Sequence, residues 1–197
     1  MEQSEALKEV VAFHGHICPG IAYGYRVAET ALNALGERAR DEEIVAVVEN
    51  DSCAVDAIQV MTGCTFGKGN LIFKDYGKQV YTFFSRDTGK GLRISVDYNR
   101  EETPEERDVW QRYGAGDRTA EVVKALEGIK RRKIEEILKS PSEKLFSLNP
   151  VTVPPPPKAR IVASLHCAQC GEKMMETRTR EIGGKGYCIP CGEGESG

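Results

Sequence analysis

Apolar positions recur at intervals of three and four residues along the first part of the chain, which indicates amphipathic helices. Ser4 is suited to cap a short first helix. Pro19 fits the first turn of a longer second helix, which Gly36 would end. The inward positions of the second helix are Ile21, Gly24, Tyr25, Ala28, Ala31, Leu32 and Leu35. Between the two helices the apolar pattern is interrupted by the stretch FHGHICPG, residues 13–20.

Farther along, the pattern changes to strands and then returns to helices. EIVAVVEN predicts a buried strand, and DSCAVDAIQVMTGC predicts a helix with Asp51 or Ser52 as its cap. Three more strands are predicted in NLIFKDYG, QVYTFFSRDTG and GLRISVDY, and turn glycines such as Gly77 suit antiparallel hairpins between them. From Pro104 onward the pattern predicts three helices, in PEERDVWQRYG, DRTAEVVKALEG and IKRRKIEEILK.

This order of elements (helix, strand, helix, three strands, then helices) predicts an α+β fold. We expect the helices to pack on one face of a mixed, largely antiparallel sheet. A run of four prolines in NPVTVPPPPKAR marks a boundary, because such a run favours an extended, semi-rigid spacer. The prediction is therefore a core domain over residues 1–148, a linker over 149–160 and a small C-terminal module over 161–197.

Composition and charge exclude several classes of function. The net charge of −3 over 197 residues gives no electrostatic reason to expect nucleic acid or an anionic membrane as partner. No apolar run approaches the ~20 residues of a membrane span, and MEQSEALKEVV lacks the regions of a signal peptide, so the cytoplasm is the expected compartment. In that compartment an odd number of cysteines, seven, favours metal ligands or reactive thiols over disulfides.

Four cysteines in the C-terminal module form two CxxC pairs, separated by residues 171–187. They are Cys167, Cys170, Cys188 and Cys191. This spacing predicts a four-cysteine zinc site, and the metal would supply much of the folding energy of so small a module. METRTREIGGKGYC predicts a hairpin that turns at Gly183 and Gly184. His166 is interpreted as a solvated neighbour of this site, and a pair of redox dithiols is the alternative to zinc.

A second cluster lies in FHGHICPG. His14, His16 and Cys18 alternate, so an extended backbone would place them on one side. Cys18 and Cys53 each come at the start of a predicted helix, where a thiolate is favoured. Two imidazoles and two such thiols would make a soft site for a transition metal such as zinc. We favour His16 over His14 as a ligand because it is nearer to Cys18.

Cys64 is less suited to the same ion. Eleven residues of helix would hold it roughly 16 Å from Cys53 at a rise of 1.5 Å per residue. Each of these residues alone also has a purely structural explanation, because free cysteines are often buried small residues and turn histidines often bond the backbone. Asp56 is either a carboxylate behind a metal ligand or a plain surface acid.

Three motifs together, FHGHICPGIAYGYRVA, DSCAVDAIQVMTGCTFGKGNL and the terminal CxxC pairs, resemble the E subunit family of formylmethanofuran dehydrogenase. The resemblance implies an α+β core with an auxiliary zinc finger of treble-clef or ribbon type, a homodimer, and a metal-associated cleft. Carried onto this chain, the residues around that cleft are His14, His16, Cys18, Cys53 and Cys64.

In that family's setting, a molybdenum or tungsten pterin on other subunits reduces CO2 onto methanofuran, an early step of methanogenesis. The core of this chain has only three cysteines, too few for an all-thiolate four-iron cluster, so the main chemistry is not expected here. One hypothesis is therefore an accessory, metal-binding subunit of a large oxidoreductase. Others are a free-standing enzyme with a His/Cys cleft and, on charge the least supported, a zinc-finger regulator that binds nucleic acid.

Overall fold

The computed structural model describes residues 4–98 and 100–194, and the chain divides into two compact units, Met1–Lys158 and Ala159–Gly197. The first unit is a mixed α+β fold. Its elements are α1 Glu5–His14, α2 Pro19–Leu35, β1 Ile44–Val48, α3 Ala54–Thr62, β2 Leu71–Phe73, β3 Val80–Ser85, β4 Gly91–Val96, α4 Pro104–Gly114, α5 Ala120–Lys139, α6 Ser142–Leu145 and β5 Phe146–Val151. Within the described ranges, none of the helices is both long and apolar enough to cross a bilayer.

The first two helices begin and end where the sequence signals predict. The Ser4 hydroxyl accepts a hydrogen bond from the Leu7 amide at 3.2 Å and caps α1. Helix α2 begins at Pro19, with Cys18 at the N-cap position, and Gly36 follows its last residue. Proline in the first turn costs no hydrogen bond, because the amides there have no partner within the helix.

The sheet has the strand order β2-β1-β3-β4-β5, with β1 parallel to β2 and the other pairs antiparallel. The predicted hairpin across Gly77 is therefore wrong, because β1 lies between β2 and β3. Strand β2 follows α3, and a helical crossover brings it beside β1 in the same direction. The segment after β2 passes the end of β1, where the Lys78 amide donates to the Glu49 carbonyl at 3.0 Å.

Two differences from the predicted elements lie near the end of the first unit. The last two predicted helices are a single helix, α5, with Gly128 in its interior. The first three residues of the predicted linker, 149–151, end the edge strand β5. An edge strand tolerates Pro150, because it needs no amide on its open side. Further along the proline run, Arg86 donates to the carbonyls of Pro156 and Pro157 at 3.1 and 2.9 Å, so this segment is fastened to the core.

The main core lies between the helices and one face of the sheet, as predicted. Ala46 and Val48 of β1 belong to it together with the inward side of α2 and α3. The alternate residues Val45 and Val47 form a smaller apolar cluster with Phe84. Strand β1 is therefore buried along its whole length, which explains its uninterrupted apolar run.

The second unit is small and built around two hairpins. Its elements are β6 Ser164–His166, β7 Lys173–Met175, β8 Thr179–Ile182, β9 Lys185–Cys188 and α7 Ile189–Glu193. Strands β6 and β7 pair, and so do β8 and β9. Gly183 and Gly184 both have positive φ (58° and 74°), which confirms the predicted turn between β8 and β9.

Helices α2 and α3 approach each other most closely at Gly24. A Cβ on Gly24 would lie 2.3 Å from the Ala54 carbonyl oxygen and 2.6 Å from its Cα. We predict that Gly24→Ala lowers the free energy of unfolding by about 3 kcal/mol, because two backbones must separate. Urea unfolding followed by circular dichroism measures this.

Gly128→Ala is the matched control, because Gly128 lies inside a helix and an added Cβ there would meet only the end of the Arg132 side chain, at 3.6 Å. Alanine there should raise the free energy of unfolding by about 0.5–1 kcal/mol through its helix propensity. Equal stabilities of Gly24→Ala and the wild type would contradict the tight crossing.

Candidate metal centres

Three side chains from FHGHICPG converge at the junction of α1 and α2. One ligand atom from each of His14, His16 and Cys18 lies within 4.8 Å of the other two. The stretch is not extended, as the alternation had suggested. His14 is the last residue of α1, Gly15 turns the chain in the left-handed conformation (φ 93°), and Cys18 is the N-cap residue of α2. The turn between the helices therefore brings the three together.

The His14 imidazole is held from behind by a carboxylate. Its Nδ1 lies 2.7 Å from Oδ2 of Asp56, on α3. Its Nε2 is buried and has no hydrogen-bond partner in the part of the chain that the structure describes. When Nδ1 carries the proton that Asp56 accepts, Nε2 presents a lone pair. Of the two roles open to Asp56, the structure shows the carboxylate behind the histidine.

His16 lies on the solvent side of the same cluster. Its ring centroid is 4.6 Å from that of His14, with the rings tilted by 42°. His16 is exposed, whereas only 13% of the His14 side chain is accessible. The preference for His16 over His14 finds no support in this geometry, because His14 has the buried, oriented imidazole.

The two cysteines at helix starts lie side by side but differ in environment. Cys18 Sγ accepts from the Ile21 amide at 3.4 Å, as expected for an N-cap side chain. Cys53 makes no such bond, because its own backbone is already helical (φ −49°, ψ −25°). Burial, together with the neighbouring Cys18 thiol, raises the pKa of Cys53. Cys53 is not among the three converging residues, although a Cβ on Gly20 would contact both Cys53 and Cys18.

Cys64 lies apart from this cluster. It follows the end of α3, is fully buried, and its thiol lies 3.4 Å from the Ile44 carbonyl oxygen of β1, to which it donates. Burial raises its pKa. Cys64 therefore behaves as a small core residue, and the structure does not bring it to the histidines.

A cavity of about 360 Å³ opens beside His16 and Cys18. Its far wall comes from the loop before α4 and from α4 and α5, which no sequence signal connects with the site. The lining residues from that wall are Arg100, Glu102, Trp110, Ile129, Lys130 and Lys133. No local motif marks them, because they reach the cleft only through the packing of α5 on α2 and of α4 on α5.

Glu106 fastens this wall together. Its carboxylate accepts from Arg100 at 2.8 Å and from Arg132 at 3.1 Å, and it completes a capping box with Thr103 at the start of α4. The hydrogen bond from Arg100 is the largest of the causes that lower the pKa of Glu106 to about 2. Glu106 therefore joins α4 to α5 as an anion.

In the second unit the four cysteines come together as the spacing predicts. One Sγ from each of Cys167, Cys170, Cys188 and Cys191 lies within 4.8 Å of the others. The Cys188 amide donates to Cys167 Sγ at 3.3 Å, and this bond is the largest cause that lowers the pKa of Cys167 to about 6. Four convergent thiols, one of them favoured as thiolate, are the donor set of a closed structural zinc site.

The family model described as "FmdE, Molybdenum formylmethanofuran dehydrogenase operon" matches residues 13–147. The chain belongs to this family. A second model, the prokaryotic dksA/traR C4-type zinc finger, matches residues 160–196. The resemblance read from the sequence motifs is thus confirmed for the core and for the finger of this FmdE-family chain.

Two relatives add to this. A probable S-adenosyl-L-methionine-binding protein of Archaeoglobus fulgidus is 34% identical over 192 residues, which cover 91% of this chain and 50% of the relative. The chain thus spans about half the length of that curated relative. The crystal structure of a tungsten formylmethanofuran dehydrogenase FmdE-like protein from Syntrophus aciditrophicus matches with a TM-score of 0.64 and 24% identity, over 98% of this chain and 93% of that one. At this identity the match establishes the fold.

We predict that Cys170→Ser lowers the zinc content by one equivalent per chain and makes the finger sensitive to protease, because its few apolar contacts cannot hold it without the metal. Plasma emission analysis and limited proteolysis measure the two effects. His166→Ala is the control, since His166 is adjacent to Cys167 but outside the thiol group, and it should keep the zinc. An unchanged zinc content in Cys170→Ser would rule out the finger site.

Proposed function

We propose that the core of this FmdE-family protein binds one transition-metal ion, zinc being the best match to the donors, through His14, His16 and Cys18. The observation that carries the proposal is the His14 imidazole. Its Nε2 is buried without a hydrogen-bond partner among the described residues, while Asp56 orients the ring from the opposite nitrogen. A buried polar atom without a partner is costly, and a carboxylate–histidine pair of this kind is typical of metal ligands.

The set of donors supports this site and distinguishes it from the finger. Two imidazoles and one thiolate suit zinc, and three protein ligands leave a position free for water or another molecule. That free position is consistent with the cavity next to His16 and Cys18. Cys53 lies beside Cys18, and we propose it as the additional protein ligand when no external molecule is bound.

For the biological role, we propose an accessory, metal-binding subunit that acts with a molybdenum or tungsten oxidoreductase. Membership of the FmdE family supports this, as does the small number of thiols in the core, which leaves the iron–sulfur clusters to other chains. The cleft favours a second candidate, a free-standing metal-dependent enzyme. Affinity purification from the native cell separates the two, since a large oxidoreductase should be retained only by an accessory subunit.

We predict that His14→Ala removes one equivalent of metal per chain and leaves the finger zinc in place. Asp56→Asn should keep the ligands but weaken metal binding by about 10–100-fold, because it disturbs the orientation and basicity of the imidazole. Metal analysis after dialysis and competition with a chromophoric chelator measure these effects.

The control is His166→Ala, which removes a histidine from the other unit and should bind as much metal as the wild type. Circular dichroism checks that each variant is folded. A folded His14→Ala protein with the full metal content of the wild type would contradict the core site.

A further inference from the structure

The cleft beside the proposed core metal is basic and has one large aromatic side chain. Trp110 of α4, together with Lys130 and Lys133 of α5, faces His16 and Cys18 across the cavity. This composition differs from the chain as a whole, which carries a net charge of −3.

The charges in the cleft are unequally compensated. Arg100 is neutralised, since it pairs with Glu106 at 2.8 Å and with Glu136 at 3.4 Å. Lys130 and Lys133 have no ion-pair partner within residues 4–98 and 100–194, and Lys133 is half-buried. Glu102 is the acidic residue on this lining. A half-buried ammonium group without a counter-ion favours an anion that enters from solvent.

The start of α2 strengthens the same preference. Pro19, in the first turn of this 17-residue helix, belongs to the lining, so the positive end of the helix faces the cavity. A cation bound by His14, His16 and Cys18 would add further positive charge at this wall. The three sources of positive potential come from different elements and meet at one cavity.

The aromatic side chain adds a requirement for shape. Trp110 is 37% exposed and offers a flat apolar surface beside the lysines. An indole face contributes most when a planar group packs against it. The volume of about 360 Å³ suits a small molecule rather than a peptide or nucleic acid.

We propose that this cleft binds a small organic anion that carries a planar ring, with the anionic group at Lys130 and Lys133 and the ring against Trp110. The inference rests on the proposed core metal site, which forms the opposite wall and is left with a free coordination position. The shared chemistry of the ligand is a carboxylate or a phosphate group on an aromatic ring.

The full-length, metal-loaded protein offers a direct test, because Trp110 is its single tryptophan and reports on this cleft alone. Benzoate and phenyl phosphate serve as probes, with benzamide as the uncharged ring and inorganic phosphate as the anion without a ring. We expect a saturable change of tryptophan fluorescence with at least one of the two ring-bearing anions, and the better of them identifies the anionic group. Benzamide and inorganic phosphate should each bind at least about tenfold more weakly.

Lys133→Met keeps the length of the side chain and removes its charge, and we expect about tenfold weaker binding of the preferred anion. Lys139→Met is the matched control on the same helix, because Lys139 pairs with Glu135 and lies outside the cleft lining. Binding should also weaken as sodium chloride is raised. Equal binding of benzamide, equal affinity of Lys133→Met and the wild type, or no saturation by either ring-bearing anion would overturn the inference.

Metal analysis on the same samples keeps this test separate from that of the core metal. A protein that holds the core metal but binds neither anion would contradict only the anion-binding cleft. A protein that binds the anion through Lys133 but holds no core metal would support the cleft and contradict the proposed metal site.

Discussion

The core site depends on the close contact between the first turns of α2 and the start of α3. At Gly24 an added Cβ would lie 2.3 Å from the Ala54 carbonyl, and at Gly20 it would lie 3.0 Å from Cys53 Cβ. Side chains on these two glycines would push the helices apart. Without them the N-termini of both helices meet, so that Cys18 lies beside Cys53 and Asp56 reaches the imidazole of His14. The packing of two helices thus determines the chemistry of the site.

The local turn and the helix contact make separate contributions. Gly15 ends α1 in the left-handed conformation and brings His16 and Cys18 back toward His14, which needs only residues close in sequence. Asp56 comes from α3 and can reach His14 only when the tertiary packing is complete. The three donors are therefore set by a turn, and the orientation of the buried imidazole is set by the fold. A partly folded chain would have the donors without the oriented imidazole.

The sequence predicted what depends on local order and missed what depends on pairing at long range. The bounds of α2 and α4 follow from Pro19, Gly36 and Pro104, and the finger cysteines follow from their spacing. The place of β2 beside β1 and the existence of β5 could not be predicted, since strand partners are chosen by the tertiary fold. At the site, the histidines and Cys18 were identified from one motif. Trp110 and Lys133 were not, because they come from helices that contact the site only after folding.

The two cysteine-containing sites of the chain differ in how their donors are supplied, and this suggests different roles. The finger supplies four thiols from a unit that has little core of its own, so its metal would serve the folding of that unit. The core site lies on helices that are already packed on a five-stranded sheet, and its absence would leave that packing intact. An ion there would contribute little to the fold. A cluster that stability does not require, with a buried imidazole oriented toward it and a basic cleft alongside, is best explained by the binding of a ligand.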